Sequence, residues 1–362
     1  MNNQGRSRPH TIRAAVLRNQ GGPLIIEPLS MQGPRHDEVL VRLAASGICH
    51  TDIDMLDCWD ETMGPVVLGH EGAGVVEEIG RDVTGISPGD PVILSYAFCG
   101  ECASCGEGRP FACTHFFKLN FNFQRLDGSN ALQGSGARGH FFGQSSFASH
   151  ALVCARNLVP VPPDLPLPLL APLGCGLQTG AGTILHSLAV TPGESVAIFG
   201  SGSVGLAAVM AARIAGAERI IAVDRHPARL CLALELGATG VLDSRQDDLA
   251  AQLAEGLDCL VDTTGDRNLG RLAARVLKPR GRAAFLAGGA MPKAMQGRRH
   301  VSVIQGDAAP RQFIPEMIRL YRTGQFPFDR LIKFYDFTEI NRAIADVRHG
   351  DTIKAVLRIG NR

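Results

Sequence analysis

Four cysteines lie close together in one stretch of the chain. Cys99, Cys102, Cys105 and Cys113 follow the spacing C-x2-C-x2-C-x7-C. Thiolates are soft ligands, and four of them close a tetrahedral zinc shell with no position left for a substrate. The residues between them are polar and rich in glycine, which indicates a loop and not a core in which thiols could be buried. The spacing therefore predicts a structural zinc site in a lobe at about residues 95–115.

Three further potential metal ligands are far apart in the chain: Cys49, His70 and Cys175. A catalytic zinc site uses three protein ligands and keeps the fourth position open for water or substrate. Taken singly, each of these residues could equally belong to a core, as a small buried thiol or a hydrogen-bonded histidine. Their sequence neighbourhoods, described below, favour a catalytic metal site.

A glycine-rich motif, Gly200-x-Gly202-x2-Gly205, follows an apolar run and opens an alanine-rich helical stretch. In this context the first glycine makes a tight turn, the second lets the backbone approach a pyrophosphate, and the third lets helix pack on strand. The amino terminus of the helix attracts the anion. The motif predicts a dinucleotide-binding site, although an ordinary glycine turn in an α/β domain is the alternative.

The coenzyme can be predicted from the residues after the next strand. Asp224 lies nineteen residues beyond Gly205, where a carboxylate accepts hydrogen bonds from the adenosine ribose and repels a 2′-phosphate. NAD is therefore expected over NADP. Arg225 and Arg229 keep NADP open, because either could neutralise such a phosphate, and we place Arg229 in the cofactor site.

The strands and helices that must position these residues can be predicted from the alternation of apolar runs and turn residues along the sequence. Short apolar runs between glycine and proline turns make the first half β-rich, and a proline-rich stretch at 159–168 lies near a domain boundary. From Ser195, β-branched runs alternate with Ala- and Leu-rich runs, which predicts parallel βαβ units. The predicted strands are 196–199, 220–223 and 257–261, and the predicted helices begin near 203 and 227.

The alternation fades near Gly288, where the chain is expected to return to its first domain. Two helices, at 310–321 and 338–348, and a last strand at 354–359 are predicted there. The fold class is α/β, with a catalytic zinc-binding domain (1–176 and 312–362) and an inserted NAD-binding domain (177–311) that contains a doubly wound parallel sheet.

Length, charge and hydropathy are those of an ordinary globular protein. The 362 residues suffice for two domains with their own cores. A net charge of +1 gives no electrostatic reason to expect nucleic acid or a membrane surface as a partner. No stretch reaches the roughly 18 apolar residues of a membrane span, and the start lacks the apolar segment of a secretory signal. We expect a cytoplasmic protein whose partners are small molecules.

The stretch Gly69-His-Glu-x2-Gly74-x5-Gly80-x2-Val83 resembles the zinc-binding signature of the medium-chain zinc alcohol dehydrogenases. The four-cysteine loop follows at the spacing that this family shows, and the resemblance covers nearly the whole chain. It implies a GroES-like catalytic domain, a Rossmann coenzyme domain, and a homodimer or homotetramer. Three segments resemble the aryl-alcohol (benzyl alcohol) and geraniol dehydrogenase branch: 141–147, 172–182 and 324–331.

The resemblance also implies roles for the dispersed ligands. Cys49, His70 and Cys175 would hold a catalytic zinc that acts as a Lewis acid on the alcohol, with NAD as the hydride acceptor. Glu71 would lie behind this metal and ligate it transiently. Asp52 resembles the carboxylate that orients the zinc-bound histidine.

Other residues match positions of the proton relay and the coenzyme site. Thr51 matches the residue whose hydroxyl receives the alcohol proton. Asp54 stands where many relatives have the histidine that ends the relay, so Asp54, water or direct release could complete it. His50 and Lys354 match cationic positions near the pyrophosphate, and Thr179 matches a residue that packs at the nicotinamide.

Aromatic residues surround the predicted site in the sequence. Trp59 and Phe147 are favoured as pocket residues by family position, although most aromatic residues are simply core. The remaining members of this aromatic-rich stretch are Phe116, Phe117, Phe121, Phe123, Phe141 and Phe142. An apolar, aromatic-lined cleft would suit a bulky primary alcohol, either aryl or an allylic terpene alcohol, and yield the aldehyde.

Three alternatives stay open at this point. The protein could be a zinc dehydrogenase for a secondary alcohol, a polyol or a glutathione adduct. It could be a catalytically silent family member that binds NAD. It could also be a zinc-ribbon protein that binds nucleic acid, which the neutral charge balance and the glutamates of the four-cysteine loop disfavour.

Overall fold

The computed structural model describes residues 9–245, 248–287 and 298–360. These residues form two compact units. The first contains the described residues up to Cys175, Ala309–Pro315, and the described residues from Leu331 onward; the second contains Gly176–Ala308 and Glu316–Arg330, as far as described. The segment Glu316–Arg330, which we predicted in the catalytic domain, thus groups with the second unit, where Arg330 forms an ion pair with Glu235.

The strands of the described residues are β1 (His10–Leu17), β2 (Ile25–Met31), β3 (Glu38–Gly47), β4 (Val66–Val67), β5 (Glu71–Ile79), β6 (Pro91–Leu94), β7 (Leu132–Gln133), β8 (His150–Cys154), β9 (Leu158–Pro160), β10 (Ser195–Phe199), β11 (Arg219–Asp224), β12 (Gly240–Asp243), β13 (Leu257–Asp262), β14 (Leu277–Phe285), β15 (Arg299–Val301), β16 (Ile332–Asp336) and β17 (Lys354–Arg358).

The helices are α1 (His50–Cys58), α2 (Ala103–Gly106), α3 (Phe116–Phe121), α4 (Leu167–Leu170), α5 (Gly176–Gly182), α6 (Ser203–Ile214), α7 (Pro227–Leu236), α8 (Leu249–Gln252), α9 (Leu269–Val276), α10 (Pro310–Arg322) and α11 (Ile340–His349). None of the helices in the described part of the chain has the length and apolar character needed to span a bilayer.

The first unit is built on two mainly antiparallel sheets. One has the order β4-β1-β2-β7, and the other has the order β16-β17-β3-β5-β6-β9 with β8 paired to β3. Strand β3 is buried on both faces: Val39 and Val41 belong to one core cluster, whereas Leu40 packs into another with Ile12 of β1. Because side chains alternate along a strand, β3 joins both cores of this unit.

The second unit contains a parallel sheet of order β12-β11-β10-β13-β14-β15. Numbered along the chain, this is the order 3-2-1-4-5-6 of the Rossmann fold, in which the strand order reverses between the first and fourth strands while all strands stay parallel. The predicted α/β class with a doubly wound parallel sheet is confirmed. Residues of β10, such as Ala197 and Phe199, are buried in its core, as expected for strands covered on both faces.

Candidate active site

Four side chains converge within the first unit. Cys49, His70, Glu71 and Cys175 each offer one ligand atom, and these atoms all lie within 4.8 Å of one another. The fold brings them together because β3 ends just before Cys49, while His70 and Glu71 lead into the neighbouring strand β5. This arrangement unites residues that are more than a hundred positions apart in the sequence.

The backbone around Cys49 and Cys175 is held in position by a hydrogen bond at the first residue and by a close approach at the second. Cys49 is the residue that precedes α1, and the carboxylate of Asp52 accepts a hydrogen bond from its backbone N–H at 2.9 Å. Gly174 comes directly before Cys175, and a Cβ atom at Gly174 would overlap the carbonyl oxygen of Leu94. The lack of a side chain there lets the Cys175 segment approach the end of β6.

Asp52 fixes the orientation of the His70 ring. Its Oδ1 lies 2.9 Å from His70 Nδ1 and 3.0 Å from the backbone nitrogen of Gly69, and both side chains are fully buried. Nδ1 therefore donates to Asp52, and Nε2 points away from it. Burial alone would lower the pKa of His70, but Asp52 and Cys49 outweigh it and raise this pKa to about 10.

The state of the other ring nitrogen of His70 indicates whether this cluster could bind a metal ion. Nε2 is buried and has no hydrogen-bond partner among the described residues. Buried polar atoms are nearly always satisfied, so a buried imidazole nitrogen without a hydrogen bond, in a cluster with two thiols, is suited to bind a metal ion. Two cysteines and one histidine are a known zinc ligand set, and the residues present fit zinc.

The two thiols of the cluster interact through a hydrogen bond. The Cys175 thiol is a hydrogen-bond donor to Cys49, which lowers the pKa of Cys49 well below its ordinary value, and the same contact raises the pKa of Cys175. A thiolate is the form that binds metal, so metal binding here would release the shared proton. Thr51 places its Oγ1 3.8 Å from the Cys49 sulfur, next to the cluster.

Lys354 lies against Glu71 and not at an open surface. Its ammonium is 2.9 Å from both carboxylate oxygens of Glu71 and 3.1 Å from the carbonyl oxygen of Ile48, and it is 1% exposed. The pairing of β17 with the end of β3 directs Lys354 onto the segment before Cys49. A position of Lys354 near the pyrophosphate stays a prediction.

Electrostatics keep the Glu71–Lys354 pair together. Burial raises the pKa of Glu71, and the charge of Lys354 opposes this effect. Burial alone would lower the pKa of Lys354, but Glu71 and Cys49 outweigh it, and the net shift is upward. Gly47 makes room for this pair, because a Cβ atom there would overlap the Glu71 carboxylate.

The four cysteines of the predicted lobe form a second cluster. Cys99, Cys102, Cys105 and Cys113 have sulfur atoms within 4.8 Å of one another, and no cysteine of the chain is in a disulfide. Backbone N–H groups of Cys102 and His115 point at the sulfurs of Cys99 and Cys113, at 3.4 Å each. Four converging thiols with N–H groups directed at them fit a closed zinc site.

Trp59 and Phe147, the aromatic residues favoured as pocket walls, are both buried in the first unit, and their contact with substrate stays a prediction. Trp59 is 2% exposed and donates from Nε1 to the carbonyl of Gly64, and Phe147 is fully buried. The ring that lies on His70 is that of Phe142, stacked with centroids 4.4 Å apart. Sequence reasoning did not single out Phe142, because two adjacent phenylalanines give no indication of which ring faces His70.

The glycine-rich motif forms the expected turn in the second unit. Gly200 has φ +92°, and a Cβ atom there would overlap the side chain of Thr263. A Cβ atom at Gly205 would overlap the carbonyl of Gly200, whereas nothing lies within 4 Å of one at Gly202, which precedes α6. The turn thus leaves space in front of the α6 amino terminus, which fits a pyrophosphate.

Asp224 ends β11 and is tied to this turn. Its Oδ2 accepts from the backbone N–H of Ser201 at 2.6 Å, and its Oδ1 lies 2.9 Å from the backbone nitrogen and 2.8 Å from Nδ1 of His226. Burial raises the pKa of Asp224, but these N–H donors and the charge of Arg229 outweigh it and lower the pKa. Asp224 is therefore an anion at neutral pH.

The remaining predicted residues lie on accessible positions. His50 is exposed on α1, with Nε2 3.6 Å from the carboxylate of Asp54 one turn along the helix. Thr179 is half-buried in α5, where its carbonyl accepts a hydrogen bond from Thr183 Oγ1. Arg225 is exposed beyond β11.

Two clusters of potential metal ligands in one unit and a Rossmann sheet in the other are the parts expected of a zinc-type dehydrogenase, and comparison with known proteins agrees. Residues 35–163 match the alcohol dehydrogenase GroES-like domain, and residues 203–319 match the zinc-binding dehydrogenase domain. The chain belongs to the zinc-binding medium-chain alcohol dehydrogenase family. The expected GroES-like domain and the family resemblance are thereby confirmed.

Several relatives span nearly the whole chain. Geraniol dehydrogenase of Castellaniella defragrans is 44% identical over 95% of this chain and 97% of its own length. The crystal structure of benzyl alcohol dehydrogenase from Acinetobacter calcoaceticus is 41% identical, with a TM-score of 0.92 over 97% of this chain and 100% of that one. A zinc-binding-domain alcohol dehydrogenase protein from Burkholderia ambifaria is 45% identical, with a TM-score of 0.92 over 98% and 100%.

Proposed function

We propose that this protein is a zinc-dependent alcohol dehydrogenase that transfers hydride between NAD and a bulky apolar primary alcohol, aryl or allylic, to give the aldehyde. The observation that carries the proposal is the convergence of Cys49, His70 and Cys175, with His70 Nε2 buried and unpartnered among the described residues. A protein that had lost catalysis would not need to keep this ligand set.

Each residue around the cluster has a task in this function. Cys49, His70 and Cys175 would hold the zinc, and Asp52 keeps His70 Nε2 directed at it. Bound zinc supplies Lewis acidity toward an alcohol oxygen. Thr51, with its hydroxyl beside the cluster, would accept the alcohol proton.

The proton then needs a route to solvent. Asp54 and His50 form an exposed pair on α1, the helix that also carries Thr51. We propose that Asp54, in the place where many relatives have a histidine, is the terminal base of this route. His50 would assist as a cation near the pyrophosphate.

The coenzyme side of the proposal rests on the second unit. The turn at Gly200, Gly202 and Gly205 leaves room for a pyrophosphate at the start of α6. The anionic carboxylate of Asp224 favours the ribose of NAD over the 2′-phosphate of NADP. A second zinc in the four-cysteine lobe would be structural, and we expect a homodimer or homotetramer.

The substrate class rests on aromatic residues and on the relatives. The Phe142 ring lies on His70 and meets the Phe121 ring edge-on, with centroids 5.0 Å apart. Relatives that span the chain are named for geraniol and benzyl alcohol, both of them primary alcohols with an adjacent π system. An aromatic environment next to the metal would favour such planar alcohols over ethanol or a polyol.

The test is NAD reduction by purified protein, followed through NADH absorbance, with benzyl alcohol, geraniol, ethanol, sorbitol and a secondary alcohol. We expect turnover that is strongest on the first two, that zinc chelation abolishes, and that Cys175→Ser abolishes. Cys231→Ser, which changes an exposed cysteine, is the matched control and should keep full activity. A zinc-replete protein that binds NAD and oxidises none of these alcohols would contradict the proposal.

A further inference from the structure

Residues of the segment Gln144–Phe147 donate hydrogen bonds to four successive backbone carbonyl groups, the last of which belongs to His70. These carbonyls belong to residues 67–70, from the last residue of β4 to the residue before β5. The bonds are Ser145 Oγ to Val67 O at 2.6 Å, Phe147 N to Leu68 O at 3.0 Å, Ser146 N to Gly69 O at 2.8 Å, and Gln144 Nε2 to His70 O at 2.9 Å. Four consecutive residues therefore satisfy four consecutive carbonyls.

The side-chain amide of Gln144 makes the two backbone hydrogen bonds that a neighbouring strand would otherwise make at this position. Its Nε2 donates to the carbonyl of His70, and its Oε1 accepts from the backbone N–H of Gly72 at 3.1 Å. In an extended chain, the carbonyl of one residue and the N–H two positions later point to the same side, as in a strand pair. Gln144 thus hydrogen-bonds the backbone on both sides of Glu71. Glu71 itself is paired with Gly47 of β3.

Gln144 also reaches the segment of another ligand. Its Nε2 lies 3.4 Å from the carbonyl of Ser95, and the hydroxyl of Ser95 donates to the carbonyl of Gly174 at 2.8 Å. Gly174 directly precedes Cys175. One amide that is 2% exposed is therefore connected to the backbone of His70 and, through Ser95, to the residue before Cys175.

The chain at 140–145, which leads into this segment and includes its first two residues, is bent in a way that allows these contacts. Phe142 and Ser145 have left-handed backbone conformations with φ +51° each, and so does His140 with φ +64°. This conformation is costly for residues with a side chain and persists where the surroundings hold it, often at functional sites. The bend places the Phe142 ring on the His70 ring within two residues of the amide that bonds the His70 carbonyl.

We propose that Gln144 is a positioning residue for the catalytic metal site, because its amide locks the backbone on both sides of Glu71 and so fixes where His70 and Glu71 present their ligand atoms. This assigns a role to the segment 141–147, which sequence comparison singled out without a function. The inference rests on the proposed metal site but not on the proposed substrate. Loss of such an outer contact typically weakens metal binding by about 10- to 100-fold.

The test compares two buried side-chain amides. Gln144→Met removes the amide and keeps a similar volume. Asn120→Leu is the matched control: Asn120 is fully buried, and its amide bonds both backbone groups of Ala97 at 2.9 Å, in the segment that leads to the four-cysteine loop. Cadmium-113 NMR of the metal-exchanged protein separates a four-thiolate site from a site with mixed nitrogen and sulfur ligands, and chelator competition gives the affinity of each site.

We expect Gln144→Met to weaken binding at the mixed-ligand site by about 10- to 100-fold and to shift its resonance, with the four-thiolate signal unchanged. Asn120→Leu should leave the mixed-ligand site as in the wild type. Equal effects of both variants on that site, or an unaltered affinity and resonance in Gln144→Met, would overturn the positioning role. If the wild-type protein gave no mixed-ligand resonance, the proposed metal site itself would fail.

Gln144→Glu covers the case in which Gln144→Met does not fold. This near-isosteric change keeps an oxygen for the N–H of Gly72 but places a second oxygen toward the carbonyl of His70, where a donor is required. We expect weaker binding at the mixed-ligand site again, read by the same signal. Wild-type affinity in this variant would show that the bond to the His70 carbonyl does not position the ligand.

Discussion

The ammonium of Lys354 lies 2.9 Å from both carboxylate oxygens of Glu71, in a site where neither side chain is more than 1% exposed. A buried pair of this kind is costly to break on one side, because the remaining charge has lost its partner and cannot reach water. The pair also lies directly beside Cys49 and the other ligands of the metal cluster. Its integrity therefore bears on both stability and metal binding.

Lys354→Met is expected to destabilise the first unit by about 3–5 kcal/mol, because Glu71 is left as an uncompensated buried acid. Trp59 is the single tryptophan of the chain and is buried in this unit, so its fluorescence during denaturant unfolding reports the change. Lys333→Met is the control. Lys333 forms an exposed pair with Asp346 at 3.1 Å, and its loss should cost less than about 1 kcal/mol.

Adding Glu71→Gln to Lys354→Met should recover part of this loss, because removal of both charges avoids an unpaired buried ion. Equal destabilisation by Lys354→Met and Lys333→Met would contradict the importance of the buried pair.

The second unit was largely predictable from the sequence. Strand β10 was predicted at 196–199 and runs from Ser195 to Phe199, and the helix predicted near 203 begins at Ser203. Parallel strands buried on both faces are continuous β-branched runs, and the glycine motif fixes the turn after the first of them. Local sequence therefore carries most of the information about this sheet.

The environment of the metal cluster was less predictable. The types of Cys49, His70 and Cys175 indicated metal ligands, but the direction of Lys354 depends on the pairing of β17 with β3, which joins distant parts of the chain. The bend at Phe142 lies in a left-handed conformation without the glycine that normally signals one. Such contacts arise from tertiary structure, so periodicity and composition do not reveal them.

Asp224→Asn tests the choice of coenzyme. Loss of the negative charge should weaken NAD binding by about 10- to 100-fold, since a hydrogen bond to a charged group contributes about 1.5–3 kcal/mol. It should also narrow the preference for NAD over NADP, because the repulsion of the 2′-phosphate is removed. Dissociation constants for both coenzymes give the ratio.

Asp243→Asn is the matched control for Asp224→Asn. Asp243 is the register partner of Asp224 on the neighbouring strand β12, where it forms an ion pair with Arg245. The ratio of the two dissociation constants should stay as in the wild type in this variant. An unchanged ratio in Asp224→Asn would count against a role of this carboxylate in coenzyme choice.

Cys105→Ser tests the four-cysteine cluster. The Cys105 sulfur lies 3.9 Å from that of Cys99, and a hydroxyl is a much poorer zinc ligand than a thiolate. We expect the zinc content to fall from two ions per chain to one and the lobe to lose stability, because the binding free energy of a structural zinc is also folding free energy. Metal analysis of purified protein gives the count. Cys231→Ser should retain two ions, and retention of both ions in Cys105→Ser would refute the assignment.

The buried side chain of His140 is expected to make the free energy of unfolding depend on pH. Burial, together with the charges of Arg125 and Arg35, lowers the pKa of His140 to about 3. Its Nε2 accepts a hydrogen bond from the backbone N–H of Ala131 at 3.1 Å, which requires the neutral ring. An unfolded histidine has a pKa of about 6.5, so between pH 6.5 and 3 the unfolded chain binds a proton that the folded chain does not.

The first unit should therefore lose stability as the pH falls below about 6.5, by about 1.4 kcal/mol per pH unit from this residue, or about 3 kcal/mol at pH 4.5. His140→Gln, whose side-chain oxygen can still accept from Ala131, should remove this slope even if it lowers stability at neutral pH. Unfolding followed by Trp59 fluorescence at several pH values measures the slope. His349→Gln, which removes an exposed histidine from the same unit, should keep the wild-type slope. An identical pH dependence in His140→Gln and the wild type would show that this buried ring does not account for the acid sensitivity.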